Sequence, residues 1–266
     1  MKNLLIYSTL ILFTGLTSCD KILHDVPGNI PGMGDSNEKL EIKEAYTLPD
    51  GIGITGPITG IEEADPKLLN FYKPVYGAKS SSYFGSGRLV RLTLTLVNSK
   101  NVPRTVYFPK GLVWESQSDG FQHGIQIQTT WISLQPNTTR NIVIDLYCAN
   151  LGLPGPTTQT SYKILGVTSS TVLWRLLDRL GWKKVNYEMI NGTSVKGEVI
   201  EGPTYDQITE RFQAMIHDLT DRGIDISEED IIFINSIPEL APEEIPQIDE
   251  NSQFPEYFEE FNISNN

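Results

Sequence analysis

Cys148 is the residue whose chemistry this sequence leaves most open. Only two cysteines occur in the 266 residues, and the other, Cys19, ends an apolar N-terminal stretch. The chain therefore offers no disulfide framework and no cluster of thiol ligands for a metal. A free cysteine at the end of a strand is usually a small buried hydrophobic residue, whereas a reactive one supplies a single nucleophilic sulfur. Both roles stay open for Cys148.

The other polar residues form no metal, cofactor or catalytic motif. The three histidines, His24, His123 and His217, have no metal-ligand spacing. Gly51–Gly56 fits the letters of a dinucleotide-binding pattern, but Pro57 and a turn follow where a helix must begin. No serine lies in a Gly-x-Ser-x-Gly elbow, and no acid/base pair can be assigned. We therefore predict no metal, no cofactor, no catalytic residues and a non-enzymatic protein.

Two short segments carry a resemblance to a known family. Tyr147–Asn150 (YCAN), followed by Pro154, resembles the Tyr/Phe-Cys-x-Asn segment of the thioester domains of bacterial surface adhesins. Phe212–Asp221 (FQAMIHDLTD) resembles their Thr-Gln-x-Ala-Ile-Trp-x-x-Thr-Asp segment. The resemblance implies that the Cys148 sulfur and the Gln213 side-chain carbonyl form an internal thioester with loss of ammonia. It also implies that this acyl group is captured by an amine on a host surface.

The second segment differs from the family pattern at three positions. Phe212 replaces a threonine, Met215 an alanine and His217 a tryptophan. A histidine on a mostly apolar helix is usually a buried side chain with satisfied hydrogen bonds. We therefore assign a structural role to His217.

The N-terminus is typical of an exported protein. Lys2 precedes the apolar run Leu4–Leu16, and Leu16–Cys19 (LTSC) resembles the bacterial lipobox, where signal peptidase II cuts before a cysteine that carries diacylglycerol. The run is too short for a comfortable membrane span. We therefore expect a signal peptide over residues 1–18, lipid on Cys19 that anchors the chain to a membrane, and a location in the bacterial cell envelope. The leaflet is left open.

The net charge of −12 is concentrated at the C-terminal end. Residues 223–266 contain 12 of the 33 acidic residues and no Lys or Arg, so the remainder has 21 acidic residues against 21 basic ones. An acidic segment attached to a neutral domain disfavours nucleic-acid binding. We therefore expect no nucleic-acid partner.

The strand that should position Cys148 is Arg140–Asn150 (RNIVIDLYCAN). Its apolar residues alternate with a second set, as in a strand with one face in a core. Val90–Leu96 alternates in the same way, and Gly124–Leu134 is predicted to be one bulged strand. Short strands separated by turns predict an antiparallel, Ig-like β-sandwich over residues 39–150.

The element that should position Gln213 is a helix in the following region, 151–237. This region is predicted to contain a loop, three helices and one β-hairpin with an Asn-Gly turn. The predicted elements are the loop Leu151–Ser161, a helix capped by Ser169 or Ser170 and ending at Leu180, the hairpin strands Val185–Ile190 and Val195–Ile200, and helices Tyr205–Asp221 and Glu228–Ile237.

The whole chain is thus predicted to be an α+β protein in which a sandwich precedes a packed helical portion. Residues 19–38 are expected to be a lipidated flexible tether, and residues 238–266 a largely disordered acidic tail. The expected function is a non-enzymatic binding or scaffolding module for an unidentified protein or glycan. The alternative is an adhesin with a Cys148–Gln213 thioester. Oligomeric state is left open.

Overall fold

The computed structural model describes residues 24–61, 83–191 and 202–245, and its β-strands dominate these ranges. The strands are β1 (Ile42–Ala45), β2 (Ile52–Ile54), β3 (Ile58–Gly60), β4 (Tyr83–Gly85), β5 (Val90–Asn98), β6 (Arg104–Phe108), β7 (Leu112–Ser116), β8 (Gly124–Ile125), β9 (Thr130–Leu134), β10 (Thr139–Cys148) and β11 (Ser161–Thr168). The helices are α1 (Thr171–Leu180), α2 (Tyr187–Asn191), α3 (Tyr205–His217) and α4 (Glu228–Ser236). The predicted signal peptide, residues 1–18, and the predicted lipidation site, Cys19, lie outside the described residues.

Helix positions follow from capping residues that the sequence displays. The Ser170 side chain accepts a hydrogen bond from the Leu173 N–H at the start of α1, and Gly181 ends that helix. Thr204 and Ser227 form capping boxes at the starts of α3 and α4. The three predicted helices are confirmed, although α3 gives way at His217 to one π-helical turn, Asp218–Arg222.

No helix in the described ranges is long and apolar enough to cross a membrane.

Six strands close into an antiparallel β-barrel. Around the barrel they pair in the order β5, β3, β11, β7, β8 and β10, and β10 pairs again with β5. The long strands β5 and β10 form the most extensive pairing, from Thr139 opposite Val97 to Leu146 opposite Val90. Strands β2, β1 and β4 extend the sheet beside β5, β11 and β10, and β6 and β9 form a separate two-stranded sheet.

The predicted Ig-like sandwich is therefore wrong. A sandwich keeps two sheets with free edges, whereas here β11 joins β3 to β7 and removes those edges. No strand was predicted over residues 161–168, where β11, the strand that closes the barrel, lies. Its alternation is interrupted by a bulge between Ile164 and Gly166, which bends the strand. The predicted strand Gly124–Leu134 is in fact two strands, β8 in the barrel and β9 outside it.

Strand β10 is buried on both faces, because it separates two hydrophobic cores. The barrel core contains Leu146 and Cys148 together with the inward side chains of the other barrel strands. The helix–barrel core contains Tyr147 and Ala149 together with the apolar faces of α1, α3 and α4. Alternation along β10 thus directs Cys148 into the barrel and its neighbours toward the helices.

Residues 24–38 differ from the predicted flexible tether. Ile30 and Met33 are each 1% exposed and belong to the helix–barrel core. The Asp25 carboxylate accepts hydrogen bonds from the Thr171 N–H (2.6 Å) and from the Ser170 hydroxyl at the start of α1. Composition rich in Gly and Pro suggested a linker, but here it permits close packing: Gly34 has φ +60°, and a Cβ there would lie 2.2 Å from the Thr220 carbonyl oxygen.

The predicted hairpin also differs from the structure. Residues 187–191, part of its first strand and turn, form the short helix α2, and residues 195–200 lie outside the described residues. The backbone carbonyl of Asn186 accepts from the Met189 and Ile190 N–H groups. Its side-chain nitrogen donates to the Thr129 carbonyl (3.0 Å). Asn186 thus starts a helical turn, and these tertiary contacts outweigh the local Asn-Gly turn preference.

The first residues of the predicted disordered tail are packed as well. The Lys184 N–H donates to the Pro238 carbonyl (2.7 Å), and the Leu240 N–H donates to the Trp182 carbonyl (2.9 Å). The side chain of Leu240 is 7% exposed. The prediction is therefore wrong for residues 238–245, whereas residues 246–266 lie outside the described residues.

Candidate functional site

Cys148 ends strand β10 with its thiol in the barrel core. The residue is fully buried, and its Sγ lies 3.2 Å from the Asn150 carbonyl oxygen and 3.3 Å from the Asn150 backbone nitrogen. Burial raises the pKa of the Cys148 thiol to about 12, which outweighs the Asn150 N–H contact that lowers it. The sulfur is therefore a protonated thiol at neutral pH, shielded from water.

Gln213 on α3 reaches the backbone of the same cysteine. Its Oε1 accepts a hydrogen bond from the Cys148 N–H (2.9 Å), and its Nε2 donates to the Cys148 carbonyl (2.9 Å). The amide thus pairs with β10 as a neighbouring strand would. Gln213 is partly exposed, so the amide lies between buried sulfur and solvent.

His217, one helical turn beyond Gln213, holds the same amide from the other side. Its Nε2 lies 2.9 Å from the Gln213 Nε2, and its side chain is buried. Burial lowers the pKa of His217, although Asp221 and Asp218 oppose this shift. The imidazole is therefore neutral at pH 7. The Cys148 backbone thus contacts the amide oxygen and nitrogen, and the His217 Nε2 lies at hydrogen-bond distance from the same nitrogen.

Asn150, Gly34 and Asp221 form hydrogen bonds that hold the end of β10 beside α3 and the π-helical turn after it. The Asn150 side chain accepts from the His123 N–H (3.0 Å) and donates to the Gly34 carbonyl (3.0 Å). The Gly34 N–H donates to the Ala149 carbonyl (2.7 Å). On the helix side, Asp221 accepts from the Leu151 N–H (3.0 Å). These bonds join the element carrying the sulfur to the element carrying the amide.

A second polar cluster lies farther along β10 and is distinct from this site. Asp145, 1% exposed, accepts from Arg91 through two bonds (2.8 and 3.2 Å) and from the Tyr83 hydroxyl. Nearby on α2, the Glu188 carboxylate accepts from the Gly85 N–H (2.8 Å) and from the Asn186 side chain (3.1 Å). Each carboxylate is fully engaged with protein donors, which is typical of a structural network.

A surface cavity of about 400 Å³ lies beside the barrel wall, where β11 passes from β3 to β1. The residues that line it are mostly apolar or aromatic: Tyr46, Leu48, Ile54, Gly56, Pro57, Ile58, Tyr162, Lys163 and Ile164. Its composition and size are those of a binding groove for a small or extended ligand.

The structure brings Cys148 and Gln213 together, although 65 positions separate them in sequence. His217 was given a structural role, and the structure places it as a buried residue on the same helix face as Gln213 (i, i+4), with its Nε2 2.9 Å from the Gln213 amide nitrogen. Sequence reasoning missed one residue that completes the site. Gly34 was assigned to a tether, and its contact with Thr220 has no local sequence signal.

The other two histidines lie apart from the site's reactive groups. On the surface, the His24 ring nitrogens lie 3.5 Å from a Glu38 carboxylate oxygen and 3.2 Å from a Glu41 carboxylate oxygen. His123 accepts from the Ser116 N–H through Nδ1 (3.0 Å). Within the ranges that the structure describes, no group of three or more His, Cys, Asp or Glu side chains could hold a metal ion.

Comparisons of this chain with protein-family models, with curated proteins and with solved structures found no match.

Proposed function

We propose that this chain is a lipid-anchored protein of the bacterial envelope that forms an internal thioester between Cys148 and Gln213 and uses it to capture amines. One observation carries the proposal. The Gln213 amide contacts the backbone of Cys148 through two hydrogen bonds of 2.9 Å. A thioester needs one free thiol and one glutamine side chain beside it, and the Gln213 amide is held at the backbone of the residue that carries the free thiol.

The chemistry is an acyl transfer within the chain. The Cys148 sulfur attacks the Gln213 side-chain carbonyl carbon, a carbon–sulfur bond forms, and the carbon–nitrogen bond breaks. The thiol proton leaves with the nitrogen as ammonia. The Cys148 N–H already donates to Oε1, where negative charge develops during attack, so it is positioned as an oxyanion donor. Capture is a second acyl transfer: an amine attacks the thioester carbonyl carbon, the carbon–sulfur bond breaks, and Cys148 regains its proton.

Burial supports a long-lived thioester. The sulfur lies in the barrel core, where water is excluded, whereas Gln213 is a partly exposed residue. A thiol with a pKa near 12 is a weak nucleophile at neutral pH, so we expect formation to depend on positioning rather than on a stable thiolate.

Intact mass spectrometry of the purified mature chain tests the thioester. We expect a mass one ammonia below that calculated for the mature chain with its lipid on Cys19, and addition of one methylamine on treatment. Cys148→Ala and Gln213→Glu remove the thiol and the amide, so each should show its full encoded mass and take up no methylamine. A wild-type chain with its unmodified mass and a free Cys148 thiol would refute the proposal.

Lipid anchoring is tested separately at Cys19. We expect Cys19→Ala, or treatment of cells with globomycin, to leave an unprocessed precursor that retains residues 1–18. A Ser18→Ala variant keeps the cysteine and serves as the matched control. Normal processing of Cys19→Ala would contradict lipidation without affecting the thioester proposal.

The groove beside β11 favours a second function, non-covalent binding of a protein or glycan. Its aromatic and aliphatic lining suits an extended or ring-shaped ligand. The mass experiment separates the two functions: an unmodified mass leaves non-covalent binding as the function of the module.

A further inference from the structure

We infer that His217 is a positioning residue for thioester formation, holding the leaving nitrogen of Gln213 so that the amide oxygen stays on the Cys148 N–H. This inference rests on the proposed thioester function. His217 is not a catalytic residue in this account, because it acts on the geometry of Gln213 rather than on the sulfur.

A primary amide such as the Gln213 side chain can form only a fixed set of hydrogen bonds. Gln213 has one oxygen, which accepts, and one nitrogen, which donates two hydrogens. The oxygen faces the Cys148 N–H, and one N–H faces the Cys148 carbonyl. The second N–H points to the His217 Nε2 at 2.9 Å. This contact is a hydrogen bond only if that ring nitrogen carries no proton.

The tautomer of His217 therefore decides the orientation of the amide. A neutral imidazole with its proton on Nδ1 accepts from Gln213, and every polar atom of the amide is satisfied. In a protonated imidazole, the His217 Nε2 also carries a hydrogen, so two hydrogen-bond donors, this nitrogen and the Gln213 NH₂ group, face each other. If the amide turned over to relieve this, its NH₂ group would face the Cys148 N–H, another donor. Only neutral His217 is compatible with an amide oxygen placed for attack at the carbonyl carbon.

Burial keeps His217 neutral at physiological pH. Burial lowers its pKa and outweighs Asp221 and Asp218, which raise it, while Arg222 acts in the same direction as burial. The Cys148 thiol, at the end of β10, is uncharged at this pH. Protonation below pH 6.5 should therefore release the amide.

The experiment follows re-formation of the thioester by mass. Ammonium chloride opens the thioester of the full mature chain to the encoded Gln213 amide and free Cys148. After its removal, loss of one ammonia is followed over time, from about pH 5 to about pH 8. The variants are His217→Gln, whose oxygen can replace the ring nitrogen as an acceptor that does not titrate, and His217→Leu, which has no acceptor. Circular dichroism checks folding at each pH.

The informative quantity is the rate of the wild type divided by the rate of His217→Gln. Thiol ionisation affects both chains equally and cancels in this ratio. We expect a constant ratio near neutral pH and a fall of about tenfold per pH unit below a midpoint under 6.5. We expect His217→Leu to be slower than wild type throughout. A ratio that does not change with pH, or a His217→Leu rate equal to wild type, would overturn the inference.

A second measurement keeps the inference testable if no thioester forms. The ¹⁵N NMR shifts of His217 report its tautomer in the folded chain without any reaction. A proton on Nδ1 at pH 7 supports the positioning role, whereas a proton on Nε2 rejects it. Failure of ammonia loss in the wild type refutes the proposed function, and the NMR result separately decides the arrangement of His217 and Gln213.

Discussion

Replacing Asp145 with alanine is expected to lower the free energy of unfolding by about 3–5 kcal/mol. Asp145 and its cross-strand partner Arg91 lie on β10 and β5, and their side chains are 1% and 16% exposed. Burial raises the pKa of Asp145, whereas the Arg91 guanidinium and the Tyr83 hydroxyl stabilise its charged form. Without the carboxylate, Arg91 would keep its charge without an ion-pair partner among the residues that the structure describes.

Urea unfolding measures this loss against a matched surface pair. Asp225 pairs with Arg175, and their side chains are 50% and 47% exposed, so Asp225→Ala should cost no more than about 1 kcal/mol. The double change Asp145→Leu and Arg91→Leu removes both charges and should recover much of the loss. Equal losses for Asp145→Ala and Asp225→Ala would contradict a buried ion pair.

The stability of the wild type should contain a contribution that decreases as pH rises from about 4.5 to about 7, and Glu188→Gln should abolish it. Burial raises the pKa of Glu188 from 4.5 to about 7, against opposing hydrogen bonds from its own backbone and from the Gly85 N–H. Below pH 4.5 this carboxyl is protonated in both states. Between the two values, the folded state keeps the proton and the unfolded state loses it.

The sign follows from this difference in bound protons. Between about pH 4.5 and about pH 7 the unfolded state binds fewer protons than the folded state, so rising pH favours unfolding. Above pH 7 the folded state bears the full free-energy cost of a buried, charged Glu188. A shift from 4.5 to about 7 corresponds to about 3.5 kcal/mol at about 1.4 kcal/mol per pH unit, and the partial exposure of Glu188 makes about 2–3 kcal/mol the expected size.

Urea unfolding of wild type and Glu188→Gln at about pH 5 and about pH 8 tests this effect. Subtracting the free energy of unfolding of one chain from that of the other removes the contributions of titratable groups that both chains share. Glu210→Gln, at a glutamate that is 72% exposed near Arg88, is the matched control and should leave the pH dependence unchanged. A difference between wild type and Glu188→Gln that is the same at both pH values would exclude Glu188 as the titrating group.

The site and the two carboxylate clusters depend on β10 in different ways. Asp145 joins β10 to Arg91 of β5 and to Tyr83 of β4, and Glu188 joins α2 to β4, whereas Gln213 and Asn150 act at the end of β10. Variants of the carboxylates should therefore change global stability, and variants of Gln213 should remove methylamine capture. Their separation makes the stability and mass experiments independent.

Local sequence patterns correctly predicted the elements that end on recognisable residues. Ser170, Gly181 and Ser227 mark helix ends because their side chains or backbone freedom satisfy groups at a helix terminus. Alternation in Arg140–Asn150 predicted a strand with a buried face, which is β10. Each of these inferences uses information carried within a few neighbouring residues.

The tertiary structure alone decided how those elements close and what covers them. Alternation shows that one face of a strand is buried but not which partner buries it, so a sandwich and a barrel give the same pattern. Closure depends on β11 pairing with β3 and β7 across a bulge at Gly166. Likewise, Gly34 lies in a segment whose composition is that of a linker, yet it packs against Thr220 because a residue without Cβ permits that approach. The sequence by itself therefore determined the helix ends and the strand of the cysteine, and long-range pairing determined the barrel and the contacts of the Cys148–Gln213 site.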